Sequence, residues 1–246
     1  MSSVALIHLH RVEQKAAAKA LSTVLAEWKF KYTHSDPIPP DGPGVMLSHL
    51  DKGVGYLCYL LGPRQGNWTT LIQPFADRED TPFLADVANR LSQQLQTHSL
   101  ALLLHDGDVL FYNLDYRGTP RDGYCSNPQH LADHRLDDKD VLNQRHQPKA
   151  FTPLLPRNVT IEQLQKMLHA GWWQAFDAKQ LDEAGELLKE EDMIDEEERL
   201  TALGNLLQLN GNAGYPLAHW KTTKLIDWKR YQALYYSARG RTLTVV

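Results

Sequence analysis

His130 and His134 stand four residues apart in the stretch HLADH, so a helix there would set both imidazoles on one face, as metal ligation requires. Cys125, Asp133, Asp137, Asp138 and Asp140 lie close enough in sequence to complete a ligand set. Against this, there is no HExxH motif and no second cysteine nearby, and with eleven histidines in the chain one such pair arises readily by chance. No metal site and no cofactor are assigned. Cys125 is also the candidate thiol nucleophile, with His130 or His105 as its base, which needs the imidazole within hydrogen-bond reach of the sulfur. The ordinary role of a lone cysteine is to fill the core. Tyr124, Cys125, His130 and His134 therefore stand as candidate binding residues, and no catalytic residue is named.

A second grouping is Asp106 and Asp108, with Asp115 and Asp122 further on. Paired carboxylates serve acid–base work or a divalent cation, but Asp-Gly-Asp also suits a tight turn, because Asp bonds to nearby backbone and tolerates turn geometry. The full calcium-loop spacing is not met. Turn chemistry is the favoured role. No glycine-rich phosphate loop, GxSxG elbow or kinase signature occurs in the chain.

These groups fall on or beside Leu100 to Ser126, LALLLHDGDVLFYNLDYRGTPRDGYCS. Leu100 to Leu104 and Val109 to Leu114 are predicted strands joined at Asp106-Gly107, with a second turn at Arg117-Gly118. Alternation sets Val109, Phe111, Asn113 and Asp115 on one face and Leu110, Tyr112 and Leu114 on the other, which is expected to be the core face.

Around this hairpin the pattern predicts a strand over Val4 to Leu9, a helix over Val12 to Trp28, and strands over Val45 to His49, Val54 to Leu61 and Asn67 to Gln73. Ser35 to Gly44, with its prolines and glycines, is expected to be a surface loop. Pro82 to Gln96 is a predicted helix with Thr81 as its capping hydroxyl. Thr160 to Gln163 fits a capping box opening a helix whose stripe is Leu164, Met167, Leu168 and Trp172. Further helices are expected around Leu181 to Leu188 and Leu200 to Leu207, the latter ended by Asn210-Gly211. Trp172 and Trp173 are adjacent, so a helix is not expected to bury both equally. The aromatic run Tyr231 to Tyr236 has no clean period and either returns to the sheet or caps the helices.

Composition bounds the function. A 42% hydrophobic and 23% charged chain can bury a core, and a net charge of −4 gives no general attraction to nucleic acid. No apolar run approaches the roughly 20 residues that span a bilayer, and the N-terminus has no leader pattern. The two cysteines form no disulfide framework, so a reducing cytoplasmic setting is expected. Ten acids between Asp182 and Glu198 face one base, and seven bases follow from Arg199 to Val246 against Asp227 alone. The acidic run could dock the basic tail, although solvated faces account for most such runs.

Asp108-Val109, Tyr112, Gly118, Asp122, Tyr124, Ser126 and Pro128 together resemble a pattern of uncharacterised bacterial proteins, of the form DSDVLxYxLxxxGxxxDxYxSxP. The likeness extends to the helix from Pro82 to Gln96 and to the acidic and leucine-rich segment from Glu197 to Leu209. It implies no activity, cofactor or catalytic residue, and Gly107 stands where that pattern has Ser.

The expected fold is α+β: a predominantly antiparallel sheet with helices packed on one face, followed by a C-terminal helical subdomain. The expected organisation is a sheet domain over residues 1–128, an irregular connector over 129–158 and a mainly helical subdomain over 159–246. The expected function is a protein-interaction or binding module of unknown partner, with no nucleic acid and no membrane. The alternative is a metal-dependent or thiol hydrolase using Cys125, His130 and His134.

Overall fold

A computed structural model describes residues 4–43, 56–74, 81–130, 132, 136–185, 187, 194–209 and 226–238. Among them, eight strands form one antiparallel sheet: β1 (Val4–His10), β2 (Phe30–Pro37), β3 (Tyr56–Leu61), β4 (Trp68–Gln73), β5 (His98–His105), β6 (Val109–Tyr116), β7 (Thr119–Cys125) and β8 (Gln232–Ala238). Their order across the sheet is β2-β8-β3-β4-β1-β5-β6-β7. Six α-helices accompany them: α1 (Gln14–Glu27), α2 (Thr81–Leu95), α3 (Asp138–Leu142), α4 (Ile161–His169), α5 (Trp172–Asp177) and α6 (Glu196–Leu207). None of the described helices is long and apolar enough to cross a membrane.

The centre of the sheet follows from simple alternation. Along β1, Ala5, Ile7 and Leu9 join one apolar cluster with Leu21 and Leu25 of α1 and Leu84, Val87 and Leu91 of α2. Leu6 points the other way, into a second cluster with Leu60, Leu102, Leu110 and Leu114, roofed by Leu164, Leu168, Trp173, Leu200, Leu203 and Leu207. The sheet is thus covered on both faces, which differs from the single covered face that the sequence pattern suggested. In β6 this buries Val109 and Asp115 as well as Leu110, Tyr112 and Leu114. Each fully buried leucine contributes roughly 1.5–3 kcal/mol relative to exposure, so the second layer matters as much as the first.

The β5–β6 and β6–β7 hairpins close as their turn residues dictate. Asp106 and Gly107 have φ of 48° and 89°, and Asp108 N–H donates to His105 O at 2.8 Å. Arg117 and Gly118 repeat the device at 53° and 78°. Both central residues at positive φ make a turn whose twist matches that of the strands. The Thr160–Gln163 capping box is present in both directions, at 2.8 and 3.3 Å.

Several expectations are corrected. Ser35 to Pro37 belong to the edge strand β2, where a proline costs no ladder bond on the open side. Trp172 does not extend α4, because the chain breaks at Ala170-Gly171 and starts α5. Both tryptophans of that short helix are buried, at 3% and 0% exposure, since α5 is wedged between the sheet and a loop: Trp173 Nε1 donates to Cys125 O at 2.8 Å and Trp172 Nε1 to Gly185 O at 3.1 Å. No helix forms over Leu181 to Gly185; Leu181 instead bridges to Leu187. Of the two alternatives for Tyr231 to Tyr236, return to the sheet is the one that forms: β8 enters between β2 and β3, so residues from the C-terminal segment complete the N-terminal sheet. The expected strand Val45 to His49, the Asn210-Gly211 stop and the side chain of Thr81 lie outside the described residues.

The two turn glycines differ in their surroundings. A Cβ on Gly118 would meet Gln93 Cβ at 2.8 Å, whereas one on Gly107 would find nothing nearer than Glu197 Oε1 at 3.9 Å. Both replacements strain a left-handed residue, but only one also clashes. Gly118→Ala is expected to cost about 2 kcal/mol or more and Gly107→Ala about 1 kcal/mol, read from urea midpoints; equal costs would contradict the packing described for α2 on this turn.

Candidate functional site

The far end of the hairpin is where the C-terminal helices are bolted to the sheet. Tyr112 and Tyr124 stack across β6 and β7 with ring centres 5.2 Å apart. The Tyr112 hydroxyl donates to Asp122 Oδ2 at 2.7 Å, and the other carboxylate oxygen accepts from Gly123 N at 2.9 Å and Gln147 N at 2.7 Å. Asp122 is therefore not free for acid–base work; it anchors the connector to the strand, and burial still raises its pKa. The Tyr124 hydroxyl donates to Leu168 O at 2.8 Å near the end of α4.

Beside it lies a buried ion pair. Arg199 donates to Glu196 Oε2 at 2.8 Å and to the carbonyls of Met167, Leu168 and Ala170 at 2.6, 3.3 and 3.0 Å. Close to Glu196 is Ser126, whose Oγ accepts from Leu110 N at 2.9 Å. Burial pushes the Glu196 carboxyl upward while Arg199 and Ser126 pull it down. On the rim of this region Arg145 holds Asp177 through two bonds of 2.9 and 2.6 Å and reaches His169 Nδ1 at 3.2 Å.

The candidate residues read from sequence separate here. Tyr124 and Cys125 are buried at the junction, whereas His130 is exposed in a turn and not on a helix, so the shared helix face expected of His130 and His134 does not form at its first member. His134 and Asp133 lie outside the described residues. Among the described residues no group of three or more His, Cys, Asp or Glu side chains is placed to hold a metal. Burial pushes the Cys125 thiol up to about 12, which keeps it protonated and unreactive at neutral pH. Asp106 sits in its turn, and Asp115 is buried and accepts from Asn89 Nδ2 at 2.7 Å.

Tyr112, Gly118, Asp122, Tyr124 and Ser126, which carry the sequence resemblance, are all accounted for by this packing. Each closes a turn or fastens one layer to another. Their pattern is a signature of assembly more than of chemistry.

A different grouping, at the opposite end of the same strands, was not apparent in the sequence. Rings from four adjacent strands line up: His10 to Trp68 at 5.0 Å, His10 to His98 at 6.0 Å, and His98 stacked on Tyr116 at 4.2 Å. Arg117 and Arg121 lie over the Tyr116 ring, 4.8 and 5.5 Å from its centre. Burial lowers the pKa of both imidazoles, and Arg11 and Arg64 near His10 and Arg121 and Arg117 near His98 lower them further. The rings are therefore neutral at pH 7 and the positive charge belongs to the arginines. Pairing of His98 with Tyr116 could have been counted outward from the Asp106-Gly107 turn; the place of His10 depends on the long-range β1–β5 pairing and left no local signal.

An open concavity of about 390 Å³ runs along α6, lined by Asp195, Glu197, Glu198, Thr201, Ala202 and Asn205. Its acids have a structural role: Asp195 caps the helix by accepting from Glu197 N at 2.8 Å and Glu198 N at 3.3 Å, and the remaining negative charge suits a helix N-terminus. Most of the basic tail that could meet the acidic run lies outside the described residues. No family model matches the chain, and neither the curated proteins nor the solved structures yield a match.

Two measurements check this description. Both thiols are buried and held near 12, so native protein at pH 8 is expected to resist iodoacetamide and to label at Cys58 and Cys125 only in denaturant. Mass spectrometry reads the outcome, and stoichiometric native labelling at Cys125 would contradict it. His8 is fully buried beside Trp68, with Nδ1 on Thr70 Oγ1 at 2.9 Å and Nε2 without a partner. Burial lowers its pKa from 6.5 to about 3, so between those values the unfolded chain binds a proton that the folded chain refuses. Its contribution is complete above pH 6.5 and is lost as the pH falls toward 3. His8→Asn should remove on the order of 3 kcal/mol of the stability difference between pH 7 and pH 4, measured by urea unfolding.

Proposed function

We propose that this protein is a binding module whose recognition surface is the arginine and tyrosine cluster at the turn end of the β6–β7 hairpin. The observation that supports it most is a contrast in how polar groups are used. At the junction of Tyr124, Cys125 and Ser126 the groups with chemical potential are spent internally: three hydroxyls, a carboxylate and a guanidinium all bond to the protein itself. At the turn end, Arg117 and Arg121 are exposed and stack on Tyr116 without a carboxylate partner among the described residues. Arginine and tyrosine are the side chains that most often dominate recognition surfaces.

The thiol-hydrolase alternative requires Cys125 to become a thiolate next to a base. Its burial and the position of His130 in a separate exposed turn both weigh against that step. Affinity capture with cross-linking from the native host, run on wild type, Arg121→Glu and Cys125→Ala, separates the two. A binding module at this surface should recover a stoichiometric partner with wild type and Cys125→Ala, and lose about tenfold or more of it with Arg121→Glu. Recovery indifferent to Arg121→Glu, or a hydrolytic turnover that Cys125→Ala abolishes in folded protein, would overturn the proposal.

A further inference from the structure

The cluster on Tyr116 has features that narrow its ligand. Both guanidinium carbons lie within 5.5 Å of one ring centre, so two cations share one aromatic ring on a chain whose net charge is −4. His98 stacks on the same ring at 4.2 Å, and being neutral at neutral pH it neither neutralises nor adds to them. The backbone beneath is fixed: Arg117 N donates to Thr97 O at 3.1 Å, Gly118 N to Ser92 Oγ at 2.8 Å, and Thr97 Oγ1 to His10 O at 2.6 Å. Thr119 and Pro120, between the two arginines, are exposed.

Holding two arginines together without a carboxylate has an electrostatic cost that an anion would relieve. A carboxylate brings one charge and two oxygens, enough for one guanidinium fork. A phosphoryl group brings close to two charges and three strong acceptor oxygens, which matches two forks. A phosphate polymer such as nucleic acid needs a run of cations along its track. Here Arg64 beside His10 is paired with Glu13 at 2.7 Å, and Arg11 adds a single further cation on the ring row, short of the run that a track requires.

We propose that Arg117 and Arg121, stacked on Tyr116 at the β6–β7 turn, clamp a phosphoryl group. This rests on the reading of that surface as the recognition site and names what it recognises. The backbone bonds from Thr97, Ser92 and His10 hold the turn in place before the ligand arrives, so the arginines need little further ordering.

Calorimetric titration of the full chain with inorganic pyrophosphate, in a buffer free of phosphate and sulfate, tests the clamp. Wild type is expected to bind one pyrophosphate. The pair Arg117→Asn and Arg121→Gln, in which Asn tolerates the positive φ of residue 117, should bind at least tenfold more weakly with an unchanged melting temperature. Lysine at both positions keeps the charge but not the fork, and should lose several-fold. If the double variant does not fold, Arg121→Gln alone carries the comparison, with an expected loss of threefold or more. Pyrophosphate held more tightly than a phosphoserine peptide assigns the phosphoryl group to a small molecule, the reverse order assigns it to a phosphorylated partner chain, and either result supports the clamp. Absence of binding of both at millimolar concentration, or affinity indifferent to the substitutions, overturns it. In either case, partner capture that still depends on Arg121 leaves the recognition surface standing, whereas loss of that dependence removes both.

Discussion

The second layer of this protein hangs on one guanidinium. Helix α4 ends with carbonyls that have no partner within the helix, and Arg199 satisfies three oxygens there while its remaining donor holds Glu196. A lysine could not span these acceptors, because a single ammonium lacks the planar fork that reaches several oxygens at once. Beside Glu196 lies Ser126, whose hydroxyl oxygen accepts from Leu110 N of β6. Arg199 thus joins α6 to α4 by direct hydrogen bonds, and the Tyr124 hydroxyl on Leu168 O joins the sheet to α4. Burying that pair is costly in itself, and its effect is specificity of docking: sliding α4 or α6 by one turn would strand a charge in the core.

Three tryptophans repeat the principle with neutral donors. Trp68 Nε1 donates to Leu207 O at the end of α6, Trp173 Nε1 to Cys125 O at the end of β7, and Trp172 Nε1 to Gly185 O. Each ring fills a large volume in the core and uses its one polar atom on a backbone carbonyl, at an element's end for Trp68 and Trp173 and in a loop for Trp172. Cys125 is therefore placed by its backbone, which ties α5 to the sheet, and its sulfur is incidental to that role. This explains why a stretch dense in reactive residue types has so little chemistry left to offer.

What could be read in the sequence was what neighbouring residues decide. Asp106-Gly107 and Arg117-Gly118 specify their turns locally, and Thr160 to Gln163 specifies a helix start, so the hairpins and α4 were visible. β2 was hidden because an exposed edge strand ending in proline shows no apolar alternation, only Lys31, Tyr32, His34 and Asp36 among exposed or half-exposed neighbours. β8 stayed one of two alternatives because its neighbours in the sheet are far away in the chain, and a buried run of Ala, Leu and Tyr reads equally as strand or helix. The junction at Tyr124 was visible as a cluster of residue types, but their exhaustion in internal bonds depends on α4 and α6 arriving from elsewhere in the chain. The ring ladder through His10 and His98 needed the β1–β5 register, which no local pattern encodes.

Both edges of the sheet are built against further pairing, and by the same two devices. β2 carries a bulge between Tyr32 and His34, where Thr33 turns its hydroxyl back onto Tyr235 O at 3.0 Å, and ends at Pro37. β7 carries a bulge beside Asp115 and places Pro120 near its start. A bulge breaks the even spacing of donors that an added strand would match, and a proline removes one donor outright. Strand addition, the simplest way for a sheet to bind another chain, is thereby disfavoured at both ends. Recognition is left to side chains, and the β7 bulge has a direct bearing on them: it sits between Pro120 and Asp122, at Arg121. The irregularity that blocks the edge is also at the residue that lies over Tyr116, so defence of the sheet and presentation of its cation come from one local distortion.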